Sequence, residues 1–134
     1  MDAYCKTIWL IDDNEIDNFI NKKTILKNNF SEIVKDFNSA TLAEAELDKL
    51  LEGPHNEEQI PSFIFLDLNM PVYSGIEFVK RCEDKLLQLN PNIKIIVLTS
   101  SINPNDEYTA SLFPTFCAYI NKPLNAENLL KLRR

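Results

Sequence analysis

The chain has 134 residues, of which 45% are hydrophobic and 25% charged, with 14 Lys and Arg against 20 Asp and Glu and a formal net charge of -6. That length suits a single domain spanning 1–134 with one sizeable core. The negative balance argues against direct binding to nucleic acid or anionic lipid, and no apolar run approaches the ~18 residues needed for a membrane helix.

Strand and helix signals alternate along the chain. "TIWLI" (7–11) is an apolar run rich in strand formers, and Asp12, Asp13 and Asn14 follow it. Ile16, Phe19, Ile20, Lys23, Leu26 and Phe30 then recur at spacings of three and four, which predicts a helix with these residues on one stripe. "EIVKDF" (32–37) reads as a short second strand. "TLAE" (41–44) fits a capping box opening a helix through Leu51, with Leu42, Ala45, Leu47, Leu50 and Leu51 as its apolar positions. "EGPHNEEQIP" (52–61) is polar, carries a Gly-Pro breaker and reads as a loop, with His55 solvated in it.

"SFIFLD" (62–67) is the most apolar strand candidate, and it ends on a carboxylate. "SGIE" (74–77) fits another capping box, with Ile76, Val79, Cys82, Glu83 and Leu86 on one helix face. "NIKIIVLTS" (92–100) reads as the fourth strand. Asn103-Pro104 caps a short helix reaching about Phe113, since proline suits the first helical position. "TFCAYI" (115–120) is the fifth strand, and Asn125 starts a last helix. Five strands alternating with five helices predict an α/β fold with a parallel sheet covered on both faces, whose buried strands are near-continuous apolar runs.

In such a sheet, ligands bind beyond the carboxyl ends of the strands. Those ends carry Asp12 and Asp13, then Asp67, then Thr99 and Ser100, then Asn121 and Lys122. Each has an ordinary explanation when taken singly, as a helix cap, a turn residue or a solvated charge. Together they bring three carboxylates, hydroxyls and an ammonium to one edge. Three carboxylates repel, so a cation should offset them, and oxygen-only ligands favour Mg²⁺ or another hard divalent ion. A hard cation, a carboxylate, a hydroxyl and a lysine suit phosphoryl transfer, with the carboxylate available as nucleophile. Three widely spaced cysteines, Cys5, Cys82 and Cys117, form no Cys-x-x-Cys pair. With no basic-then-apolar leader in "MDAYCKTIWLIDDNE", they read as reduced thiols in a cytoplasmic protein.

"LIDDNE", "FIFLDLNMPVYSG", "VLTSS" and "YINKP" together make the chain resemble, over essentially its whole length, the receiver domains of two-component response regulators, as in the stand-alone chemotaxis type. The resemblance implies a three-layer, flavodoxin-like (βα)5 fold with strand order 2-1-3-4-5. It implies that Asp67 accepts a phosphoryl group from a sensor histidine kinase or a phosphotransfer protein. Asp13, Asp67 and the backbone carbonyl of Asn69 would hold Mg²⁺, with Asp12 acting through a water. Lys122 would pair with the phosphoryl group, Thr99 would hydrogen-bond it, Tyr119 would be the switch aromatic, and Lys122-Pro123 would be a cis peptide. The output would be a phosphorylation-dependent contact with a downstream protein, or a phosphorylation-dependent homodimer, through the fourth helix, fifth strand and fifth helix. The domain would catalyse only its own phosphorylation and dephosphorylation.

Three other readings fit parts of the pattern. A haloacid-dehalogenase-like phosphatase also uses a strand-end Asp and Mg²⁺, but needs a second carboxylate where Asn69 stands. A flavodoxin-like cofactor carrier needs a glycine- or hydroxyl-rich phosphate loop, and the chain has only Gly53 and Gly75. A degenerate receiver acting as a fixed interaction module would have no use for the full acidic and lysine set.

Overall fold

The computed structural model describes residues 2–133. Five strands and five α-helices alternate: β1 (Cys5–Ile11), α1 (Glu15–Lys27), β2 (Ser31–Phe37), α2 (Ala40–Glu52), β3 (Phe63–Leu66), α3 (Gly75–Leu89), β4 (Lys94–Thr99), α4 (Pro104–Ser111), β5 (Phe116–Asn121) and α5 (Ala126–Leu132). The strands form one five-stranded sheet in the order β2-β1-β3-β4-β5. Every neighbouring pair is parallel. This is the expected flavodoxin-like (βα)5 architecture.

The apolar runs are continuous because alternate side chains enter different layers. Trp9, Ile11, Ile64 and Leu66 face α2 and α3, meeting Leu47, Leu50, Phe78, Cys82 and Leu86. Ile8, Leu10, Phe65, Ile96 and Leu98 face the other side, meeting Ile25, Phe30, Leu124 and Leu129. A small third cluster of Leu68, Val97 and Ala110 lies under α4, with Ile76, Phe116 and Tyr119 packed against it. The register sets Leu66 beside Ile11 and Val97, and Thr99 beside Asn121, so strand ends from β1, β3, β4 and β5 fall at one edge.

Local signals explain most boundaries. Ser74 and Glu77 form the expected capping box of α3. Asn103 caps α4 with Pro104 at its first position, and Asn125 caps α5. α4 stops at Ser111, slightly short of the expected Phe113. The loop at 52–61 contains a 3-10 turn, Glu57–Gln59, whose Glu58 carbonyl accepts from the buried Thr7 hydroxyl of β1. His55 is exposed, as expected, with its Nδ1 2.8 Å from the Leu50 carbonyl oxygen.

Two expectations are corrected. α2 is capped by Ser39, whose Oγ accepts from Leu42 N, so the helix starts at Ala40 and Thr41 lies inside it rather than capping it. The second concerns the end of α1, which stops at Lys27 and leaves out Phe30. Its 3–4 stripe faces solvent: Ile16 is 70% exposed, Phe19 52%, Ile20 50% and Leu26 42%. The buried positions are Asn18, Asn21 and Ile25. Phe30 is not in the helix. The chain leaves α1 through Asn28 and Asn29, the latter at φ 54, and Phe30 then drops into the core. A spacing of three and four fixes which residues share a face, but not which way that face points.

Candidate functional site

Asp12 and Asp67 leave the ends of neighbouring strands. Asp12 N donates to the Phe37 carbonyl at 3.1 Å and Asp67 N to the Ile11 carbonyl at 3.0 Å, so the ladder holds both residues just past its last rungs. Asn18 reinforces this edge from α1: its Nδ2 donates to the carbonyls of Asp12 at 2.9 Å and Phe37 at 3.2 Å. These bonds are why a polar side chain occupies the inner face of α1. Asn14 caps the same helix by accepting from Ile16 N and Asp17 N. Asp12 and Asp67 are buried and Asp13 is exposed, yet each offers an oxygen within 4.8 Å of the others. Three carboxylate oxygens so grouped, on backbone fixed by the sheet, fit a hard divalent cation.

Lys122, from the end of β5, crosses the pocket. Its Nζ lies 2.6 Å from Asp12 Oδ2, 2.8 Å from Asp17 Oδ2 and 3.4 Å from Asp67 Oδ2. Asp17 was not among the sequence candidates. The only signal for it is spacing: it sits one helical turn beyond Asp13, on the first turn of α1, where an acidic residue is ordinary for dipole reasons. One ammonium among this many carboxylates leaves a surplus of negative charge, and the proton affinities follow. Burial pushes the Asp12 carboxyl up to about 6, with Asp67 adding to the rise against the pull of Lys122. Burial works against the Lys122 charge, but Asp12, Asp17 and Asp67 outweigh it and hold the ammonium above its ordinary value.

The other Asp67 oxygen, Oδ1, accepts from Asn69 N at 3.2 Å. Thr99, fully buried, accepts at Oγ1 from Ser101 N at 3.2 Å and from Asn69 Nδ2 at 3.5 Å. Its hydroxyl proton is therefore the part left for another acceptor. Asn69 stands where the phosphatase alternative requires an acid, and its side chain is engaged with Thr99. Lys122 N donates to the Thr99 carbonyl at 2.9 Å, and the Lys122-Pro123 peptide is cis.

The loop after Asp67 is held closely. Gly75 N donates to the Leu68 carbonyl at 3.1 Å. A Cβ on Gly75 would sit 2.8 Å from Leu68 Cα and inside van der Waals contact of the Asp67 carbonyl oxygen, so only glycine lets α3 approach the strand end this closely. The Tyr73 hydroxyl donates to Glu44 Oε1 at 2.8 Å, fastening the same loop to α2. Tyr119, half-buried over the cluster under α4, donates its hydroxyl to the Ser101 carbonyl at 3.4 Å, and Asn121 Nδ2 donates to the same oxygen at 3.1 Å. The structure thus brings Asp12, Asp13, Asp67, Asn69, Thr99 and Lys122 to one pocket. Tyr119 stands beside it, joined through the segment that follows Thr99.

This strand order, with acidic β1 and β3 ends facing a lysine from β5, places the molecule among CheY-like domains of the flavodoxin-like class. The chain belongs to the response regulator receiver domain family, whose sequence model matches residues 8–134. It is a receiver of two-component signalling. It is 25% identical over 130 residues to Response regulator Rcp1 of Synechocystis, covering 95% of this chain and 83% of that protein. It spans only 25% of an uncharacterized response regulatory protein of Vibrio cholerae, to which it is 38% identical over 74 residues. Among solved structures, a two-component response regulator from Cytophaga hutchinsonii superposes with a TM-score of 0.83 at 27% identity, covering 98% of this chain and 95% of that one. The phosphorylated cyanobacterial phytochrome response regulator RcpA gives a TM-score of 0.71 at 25% identity, covering 96% and 88%. Receivers bind Mg²⁺ at an acidic pocket, and the Asp12, Asp13 and Asp67 cluster fits that role. Among the described residues no helix is long and apolar enough to cross a membrane.

Proposed function

We propose that residues 1–134 act as a single receiver in which Asp67 accepts a phosphoryl group from phosphohistidine on a sensor histidine kinase or phosphotransfer protein. The observation that carries this reading is the position of Asp67. It is 6% exposed at the end of a rigid strand, with Asn69 N on one oxygen and Lys122 on the other, beside two further carboxylates. A buried carboxylate so held is oriented for attack rather than solvated. Asp13, Asp67 and the Asn69 carbonyl are the proposed direct Mg²⁺ ligands, with Asp12 behind a water. The ion would offset the charge that gathers between these carboxylates and the incoming phosphoryl oxygens.

An Asp67 oxygen forms the new bond to phosphorus as the phosphorus–nitrogen bond to the donor imidazole breaks, and that electron pair returns to the ring. Lys122 exchanges a carboxylate partner for a phosphoryl oxygen. Thr99, whose oxygen already accepts two hydrogen bonds, donates its proton to another. Moving Thr99 toward the phosphoryl group pulls on Ser101, whose carbonyl holds Tyr119 and Asn121. The face of α4, β5 and α5 then changes for a downstream protein or for a second phosphorylated copy. The short α4, with Ala110 as its single buried residue, is lightly anchored for such a change. RcpA, phosphorylated in its own structure, supports the chemistry by similarity. The three unpaired thiols suit a reducing, cytoplasmic setting.

The test is labelling by acetyl phosphate with Mg²⁺, read as intact mass. Wild type should gain one phosphoryl group in the hydroxylamine-labile form typical of an acyl phosphate, and Asp67→Asn should gain none while keeping its circular dichroism. Beryllofluoride should shift amide resonances from Thr99 to Leu124 more than those of α2. Equal labelling of Asp67→Asn would overturn the assignment.

A further inference from the structure

The loop that follows Asp67 contains a strained turn. Tyr73 N donates to the Pro71 carbonyl at 2.7 Å, which closes a three-residue turn around Val72 at φ 68. A branched side chain is unfavourable at positive φ, and such a conformation persists only where its surroundings hold it. Val72 does not hold itself, because its side chain is fully exposed. The turn is pinned from either side instead, by Met70 buried in the core and by Tyr73 packed against that core.

Tyr73 reaches α2 and α3 at once. Its hydroxyl donates to Glu44 Oε1 at 2.8 Å and lies 3.7 Å from Cys82 Sγ. Its ring centroid is 6.3 Å from that of Phe78 and 4.9 Å from the Arg81 guanidinium carbon. Glu44 is fixed in turn by Arg81 at 3.1 Å and Lys85 at 3.3 Å, with 13% of its side chain exposed. Burial works against the Glu44 charge, but Tyr73, Lys85 and Arg81 outweigh it and hold the carboxyl below its ordinary value. Burial, and after it the hydrogen bond to Glu44, hold the Tyr73 phenol above its own. The pair is therefore a phenol donating to a carboxylate, the stronger, charge-assisted kind of hydrogen bond. Releasing it would let Val72 return to negative φ, and the backbone change would fall on the segment 69–72. Asp67 is fixed separately, by the sheet, through its N–H on the Ile11 carbonyl.

We infer that Tyr73 is a positioning residue for the pocket: clasped by Glu44, it keeps the strained turn in place and so holds the Asn69 carbonyl at the cation site. This role rests on the reading of Asp13, Asp67 and the Asn69 carbonyl as the ligands of Mg²⁺. Partners one step removed from a metal commonly orient its ligands, and Tyr73 does so here through the backbone. The clasp acts on the metal and not on the nucleophile, because the strand end keeps Asp67 where it is.

Calorimetric Mg²⁺ titration of the whole chain tests this, with Asp13→Asn, which removes a direct ligand, marking binding at the pocket. Tyr73→Phe keeps the ring and should lose roughly tenfold in Mg²⁺ affinity, with circular dichroism unchanged. Glu44→Ala should lose about as much, and the two together no more, because they break one contact. Glu44→Gln keeps an acceptor oxygen and should stay within about twofold of wild type. Val72→Gly added to Tyr73→Phe should restore most of the affinity, because glycine adopts positive φ without the clasp. A merely structural role of the hydroxyl would not be rescued from a side chain that meets only solvent. Labelling of Tyr73→Phe by acetyl phosphate should be slow at low Mg²⁺ and recover most of its rate at saturating Mg²⁺. Wild-type affinity in Tyr73→Phe overturns the inference, as does a loss that Val72→Gly leaves in place or a labelling rate that saturating Mg²⁺ does not recover. A wild-type titration identical to that of Asp13→Asn would overturn the reading of the pocket itself, and this role with it.

Discussion

Gly75→Ala puts one methyl group into the closest approach in the molecule. The added Cβ would lie 2.8 Å from Leu68 Cα and closer still to the Asp67 carbonyl oxygen. Ordinary carbon contacts begin near 3.5 Å, so α3 and the end of β3 must separate by roughly 0.7 Å or more. Both opposing atoms are backbone, so no rotamer change relieves the contact. Overpacking of this kind costs about 1–3 kcal/mol, and a backbone clash belongs at the top of that range. Alanine returns up to about 1 kcal/mol through helix propensity. The net loss is about 2 kcal/mol, or a fall in Tm of roughly 6–10 °C for a domain of this size. The displaced atoms belong to Asp67 itself. Misplacing a reacting group by about 1 Å can cost about a hundredfold, so phosphorylation by acetyl phosphate should slow roughly tenfold or more. Calorimetry and a labelling time course measure the two effects. Gly53→Ala is the control, since its Cβ would meet only the Lys49 carbonyl oxygen at 3.9 Å and its φ of -132° suits any residue. If Gly75→Ala melts within about 2 °C of wild type and labels at the wild-type rate, the close approach is not what fixes the nucleophile.

The remaining predictions concern the charges of the pocket. Burial, reinforced by Asp67, pushes Asp12 up to about 6, so a proton competes with Mg²⁺ there, and affinity should fall roughly tenfold between pH 8 and pH 5. Without metal, the native state holds that proton more tightly than the unfolded chain, so this group's contribution to stability declines as pH rises from about 4 to about 6. Calorimetric Mg²⁺ titration checks the first statement, and a pH-independent affinity would contradict it. Asp17→Asn should free Lys122 from a half-exposed ion pair worth about 0.5–1 kcal/mol, raising the labelling rate at saturating Mg²⁺ by roughly two- to fivefold. A slower rate would mean that Asp17 holds Lys122 in its working position rather than away from it.

The strand ends were legible because each apolar run stops abruptly on a polar residue, and the sheet gathers those stops at one edge. Asp12, Asp13, Asp67, Thr99 and Lys122 are all such stops. Asp17 was hidden because a first-turn acid is what any helix favours, and only the reach of Lys122 from the other end of the chain sets it apart. The direction of the α1 stripe is not legible, because periodicity carries none. What sets it is the pair of hydrogen bonds from Asn18 to strand-end carbonyls, which depend on the β1–β2 register. The start of α2 was misplaced because Ser39 and Thr41 are both competent caps, and the choice between them rests on where the chain leaves β2.

Lys122 reaches its partners from far along the chain, 105 residues from Asp17 and 55 from Asp67. As the polypeptide emerges during synthesis, β1 and β3 can pair long before β5 exists. At that stage their acidic ends face one another with no counter-charge, and the partly built sheet works against itself at that edge. The last strand therefore delivers two things in one event: hydrogen bonds along the open side of β4, and the ammonium that relieves the carboxylates. Completion of the sheet and neutralisation of the pocket therefore depend on the same strand, through contacts of the long-range kind that slow folding. A dissolved divalent cation, present from the start, would relieve the same repulsion before the final strand arrives.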